Sequence, residues 1–207
     1  MPTVLLKPIA DGTVQRTGSE GFYRGEGEST DYKSGPPYYP YVNEYPPDDS
    51  DTWLAWAVEN DGTVGCGLSF IIDDISDQIG SINHVKVIFR AHPGQDSGNE
   101  VDPEGEGNIF NIGVYYNGIE YVSTRDFRDP KVTTWTTYTH TFTTKQDDTP
   151  WLPSDFPLEP MLSYGRYWTT EDKDNPINDN AHNMFTAIYL EISYEEPGGG
   201  SSLLLNV

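Results

Sequence analysis

Histidine is the side chain best placed to move protons near neutral pH. The chain carries four, at positions 84, 92, 140 and 182, and their spacing matches no metal-ligand pattern. His140 falls in the run 134–143 among aromatic and threonine residues, where it reads as a packed ring rather than a base. No Gly-x-Ser-x-Gly turn, phosphate-binding loop, His-Glu-x-x-His or dinucleotide fingerprint occurs. A second chemistry would be glycoside hydrolysis by two carboxylates facing each other across a concave sheet. Glu120 and Glu191 both fall on predicted strands. With 33 acidic residues in the chain, two on strands are expected by chance. No catalytic residue is assigned, and a non-enzymatic protein is expected.

Oxygen ligands are the next possibility. Asp172-Lys173-Asp174-Asn175-Pro176-Ile177-Asn178-Asp179-Asn180 places hard donors at short intervals, as Ca²⁺ requires, with Asp172, Asp174 and Asp179 the natural ligands. Pro176 and the missing glycine exclude an EF-hand loop, and the competing reading is a solvated acidic loop. No other cofactor is expected. Aromatic contact is the third possibility. Tyr38, Tyr39, Tyr41 and Tyr45 sit in a proline-rich stretch and look hard to bury together; such rings stack on sugars or anchor protein interfaces.

Composition sets the limits on partners. The 207 residues hold 33 Asp plus Glu against 12 Lys plus Arg, a formal net charge of −21. A field of that sign repels phosphate, so binding to nucleic acid or to an anionic membrane is not expected. No run approaches the length that spans a bilayer, and 1–8 lacks the apolar stretch of a signal peptide, so export by a cleaved signal is not expected. A single cysteine, Cys66, excludes an internal disulfide and a cysteine zinc site. It reads as a small buried strand residue.

These residues must be positioned by strands. Twenty Gly, 16 Pro and 14 Tyr are a turn-rich, aromatic composition, and no helix of convincing length is predicted. Short β-branched or aromatic runs fall at 4–6, 52–58, 64–72, 84–91, 108–116, 119–123, 134–143 and 185–194. Asn117-Gly118 between Tyr115-Tyr116 and Ile119 predicts a type I′ hairpin. Val85, Val87 and Phe89 share one face, as do Ile188, Leu190, Ile192 and Tyr194, and as do Tyr138, His140 and Phe142. Alternation of this kind predicts an all-β, antiparallel, jelly-roll-like sandwich over 1–196. Residues 8–51, 92–107 and 144–182 are predicted as long irregular loops. Residues 197–207 read as a Gly/Ser linker and a detachable apolar tail. Its Leu203, Leu204, Leu205 and Val207, with Tyr38, Tyr39 and Tyr41, are the expected interface residues.

Several phrases occur in a fixed order: Pro8-Ile9-Ala10-Asp11-Gly12, the stretch 41–54 with its acidic run before Thr52-Trp53-Leu54, the strand 84–91 with its Arg90, the Asn117-Gly118 hairpin, Pro150-Trp151 with Asp155, and the closing strand 187–194. In that order they resemble a family of phage virion β-sandwich proteins, capsid-associated or tail-associated. The resemblance implies a non-enzymatic structural subunit on the virion surface. Its implied partners are copies of itself and other virion proteins such as the major capsid protein. The alternatives from the residues alone are a carbohydrate-binding module or adhesin, with a glycan partner, and a subunit of an extracellular filament.

Overall fold

The computed structural model describes residues 1–16, 22–26, 33–34, 36–43, 45–47, 52–56, 67–92, 109–126, 135–163 and 183–197. In chain order the strands are β1 (Thr3–Leu6), β2 (Ala10–Arg16), β3 (Phe22–Glu26), β4 (Lys33–Ser34), β5 (Thr52–Trp56) and β6 (Gly67–Ile71). They continue with β7 (Ser81–His92), β8 (Ile109–Tyr116), β9 (Ile119–Asp126), β10 (Thr136–Phe142), β11 (Glu159–Ser163) and β12 (Asn183–Glu195). A seven-stranded sheet runs β10-β7-β12-β5-β3-β4, with β1 also on β12, and a five-stranded sheet runs β2-β6-β11-β8-β9. From β5 onward the chain passes repeatedly from one sheet to the other, and all pairings are antiparallel. The fold is the all-β, jelly-roll-like sandwich that the alternation predicts.

The core forms where the inner faces meet. Val85, Val87 and Phe89 of β7 and Ile188, Leu190 and Ile192 of β12 are wholly buried against Leu68, Phe70, Ile112, Val114 and Leu162 of the smaller sheet. A register shift between Phe185 and Ala187 adds one residue to β12. The extra residue lets Phe185 and Ile188, of opposite parity, both point inward. Asn117 and Gly118 have φ of 48° and 82° at the tip of the β8–β9 hairpin, the sign that a type I′ turn needs at both places.

Each of the eight predicted runs contains a strand; their residues 57–58, 64–66, 108 and 134, and 93–107 of the predicted loop, lie outside the described residues. Four further strands overturn the reading of two stretches as irregular: β2, β3 and β4 lie within 8–51, and β11 within 144–182. Glu159 and Pro160 disguise β11, although all five of its residues are buried. In β2 a register irregularity between Asp11 and Gln15 breaks the two-residue period. Cys66 and the tail 198–207 lie outside the described residues.

Gly113 marks the tightest strand contact. A Cβ there would overlap the carbonyl group of Tyr121 and crowd the Val122 backbone, whereas one on Gly118 would meet nothing. Gly118→Ala should therefore cost only the left-handed backbone penalty of about 1–2 kcal/mol. Gly113→Ala must push β8 from β9, and its thermal midpoint by circular dichroism is expected to fall well below that of Gly118→Ala.

Candidate functional site

The phrase Ala10-Asp11-Gly12 begins β2 and fastens the tyrosine loop to the sandwich. The Asp11 carboxylate accepts the backbone N–H of Tyr38 at 2.8 Å and that of Tyr39 at 2.7 Å. A 3-10 turn, Tyr39–Tyr41, follows. It carries Tyr38 and Val42 into the core, at 2% and 0% exposure. The Val42 carbonyl accepts the Ile188 N–H at 3.0 Å, and Asn43 bridges Ala187. The loop thus fills the edge of β12 between its pairing with β5 and its pairing with β1.

Beside Asp11, Glu159 of β11 is held by a second set of donors. It accepts the Thr13 N–H at 2.7 Å, the Thr13 hydroxyl at 2.6 Å and the Ser69 hydroxyl, while Ser69 Oγ accepts the Val14 N–H at 2.9 Å. A Cβ on residue 12 would overlap both Glu159 and Ser69, so only glycine lets β2 approach this closely.

A third fastener lies under the β8–β9 hairpin. Trp151 is buried, edge-on to Tyr121 at 5.3 Å and to Tyr116 at 6.3 Å. Asp155, itself buried, accepts the Leu152 N–H at 2.8 Å and the Lys145 ammonium at 3.0 Å, and Lys145 sits 5.6 Å from the Tyr116 ring centre. Burial pushes the Asp155 carboxyl up. The bonds from Leu152 N–H, the Tyr116 hydroxyl and Lys145 outweigh that and hold it below the ordinary aspartate range. The same bond, with burial, raises the Tyr116 hydroxyl.

These placements sort the residues singled out in the sequence. The expectation that the loop tyrosines are hard to bury is overturned for Tyr38, which is an internal residue of this chain. Tyr39 and Tyr41 are half-buried against the same core. What the loop presents outward is Pro36, Pro37, Tyr45 and Pro46. Tyr45 is 64% exposed and meets the buried Tyr189 edge-on at 5.6 Å.

Glu120 and Glu191 cannot form a catalytic pair. Their neighbours Tyr121 and Leu190 point into the core, so the two carboxylates face outward from opposite sheets. Glu191 is bonded to Lys86 at 2.7 Å. His140 packs on Phe142 with ring centres 4.5 Å apart. Asp172, Asp174, Asp179, Leu203, Leu204, Leu205 and Val207 lie outside the described residues. Among the described residues, no three His, Cys, Asp or Glu side chains gather as a metal site would need. Sequence reading missed Glu159, Ser69 and Lys145; a lone Glu in Leu158-Glu159-Pro160-Met161-Leu162 was the available signal.

No family model and no curated protein matches the chain. Solved structures similar to it include the arabinose-bound MgGH51 α-L-arabinofuranosidase, at 9% identity and a TM-score of 0.41 over 73% of this chain; the chain spans 21% of that protein. The Stig cyclase Fisc of Fischerella sp. TAU is similar at 15% identity and a TM-score of 0.46, covering 94% of this chain and 86% of the cyclase. The carbohydrate-binding module CBM6cm-2 of Cellvibrio mixtus lichenase 5A, in complex with cellotriose, is similar at 11% identity and a TM-score of 0.38, covering 93% and 98%.

Because the Asp155 carboxyl is held low in the folded state, its contribution to stability is complete above the ordinary aspartate range. It is lost as pH falls through the folded value. Asp155→Asn should cost roughly 2–4 kcal/mol at neutral pH by stranding Lys145. It should also flatten the acid limb of the stability curve below about pH 4. Urea denaturation from pH 2 to 7 checks both.

Proposed function

We propose that this chain is a non-enzymatic structural subunit of a phage particle, a capsid decoration or a head-, neck- or tail-associated protein. It meets copies of itself and other virion proteins such as the major capsid protein. The observation that carries the reading is what the phrases that resemble the phage family do. Asp11 and Gly12 seat a loop and a strand, and Trp151 and Asp155 fasten a hairpin. The Asp11 and Asp155 carboxylates are spent on internal hydrogen bonds and the Trp151 ring on packing, which supports an architectural role for them. The loop they seat offers a proline-stiffened rim with an outward Tyr45, a form suited to docking on another protein because little freedom is lost there.

The test is to purify particles from the host that carries this gene and to locate the chain by mass spectrometry and immunogold microscopy. It is expected at fixed stoichiometry on the particle surface. Absence from particles would overturn the proposal. If that absence came with binding on a glycan array that Tyr45→Ala abolished, the sugar-binding alternative would take its place. On the same array no hydrolysis is expected; turnover lost in Glu120→Gln or Glu191→Gln would refute the non-enzymatic reading.

A further inference from the structure

Among the described residues, β1 pairs with β12 and with no other strand. Thr3, Val4, Leu5 and Leu6 lie opposite Ser193, Ile192, Glu191 and Leu190. The Tyr194 N–H extends the ladder to the Pro2 carbonyl at 3.2 Å. Leu6 is buried, and Val4 packs against the same core.

The link that follows is short. Ile9 already donates its N–H to the Ile71 carbonyl of the smaller sheet, at 2.8 Å. Leu6 to Ile9 is three residue steps, at most about 10–11 Å at full extension, and packed sheets lie about 10 Å apart. Three residues leave little slack for such a crossing; Pro8 is buried at its centre and Lys7 is exposed as its pivot. A short hinge with little slack favours exchange of the element it tethers. A neighbour's β12 offers an identical edge, so exchange relieves the crossing without forfeiting a contact. Charge favours the same outcome. Met1–Lys7 holds no acidic residue and one lysine in a chain of net charge −21, so this arm can approach a second copy whose bulk repels its own.

We propose that β1 is an exchangeable arm: β1 of one chain pairs with Leu190–Ser193 of a second copy in the register seen within one chain. Pivoting at Lys7, six residues reach about 20 Å, so the two copies must be in direct contact. The inference stands apart from the phage reading, because it concerns the purified chain alone.

Since Pro2 and Tyr194 form a hydrogen-bonded pair, Thr3 and Ser193 form the adjacent non-hydrogen-bonded pair, whose Cα atoms approach to about 4.5 Å. That separation suits a disulfide. The test is Thr3→Cys with Ser193→Cys in a Cys66→Ser background, oxidised in native buffer over a range of protein concentrations. Non-reducing electrophoresis is expected to show intrachain bonds in dilute protein and covalent dimers that grow with concentration. Intrachain bonds alone at every concentration would overturn the proposal. A second variant leaves the strands untouched: Gly-Ser-Gly inserted between Lys7 and Pro8 slackens the crossing. By sedimentation it is expected to raise the dimer dissociation constant about tenfold; an unchanged or lower constant would overturn the proposal.

Discussion

The antiparallel ladder between β7 and β12 is the constraint on which the rest of the molecule depends. It runs from Met184 opposite His92 to Glu195 opposite Ser81 and supplies most of one wall of the core. The other edge of β12 is shared in sequence by β5, by Val42 and Asn43, and by β1. Three segments from different parts of the chain thus take their position from one strand. The loop between two of them is fixed in turn by Asp11, and the irregular part of β2 by Glu159 and Ser69.

Acid-rich chains face a shortage of cations, and this one solves it with neutral donors. With 33 acidic residues and 12 Lys plus Arg, most carboxylates have no ammonium or guanidinium group to pair with. Asp11 takes two backbone N–H groups. Glu159 takes one N–H and two hydroxyls, and Asp155 takes one N–H beside its lysine. A hydrogen bond to a charged acceptor is worth about twice a neutral one, and backbone donors are already partly ordered by the strands that carry them. The buried Asp155 and Glu159 are therefore screened less by salt than a half-buried pair such as Lys86–Glu191.

What was legible in the sequence was whatever two-residue alternation encodes: eight strands, the faces of β7, β10 and β12, and the Asn-Gly hairpin. Alternation failed where a polar residue was needed for a distant partner. Glu159 interrupts β11 because Thr13, 146 positions away, donates to it. Tyr38 looked like a surface ring because the group that seats it, Asp11, is 27 positions away. Local composition carries no trace of such pairings. The fasteners at Asp11 and Asp155 were visible only as members of the phrases that carry the resemblance, and their physical work became plain with the geometry.

The place of β12 in the chain has a consequence in time. Its partner β7 ends at His92 and β12 begins at Asn183. At the usual pace of synthesis, this separation takes roughly 5–20 s to make. Through that interval β7 has one backbone edge without its permanent cover, β5 has only β3 to pair with, and β1 has no strand to dock on. The seven-stranded sheet accordingly cannot close until β12 emerges, and the net negative charge of the chain opposes association with its neighbours until then.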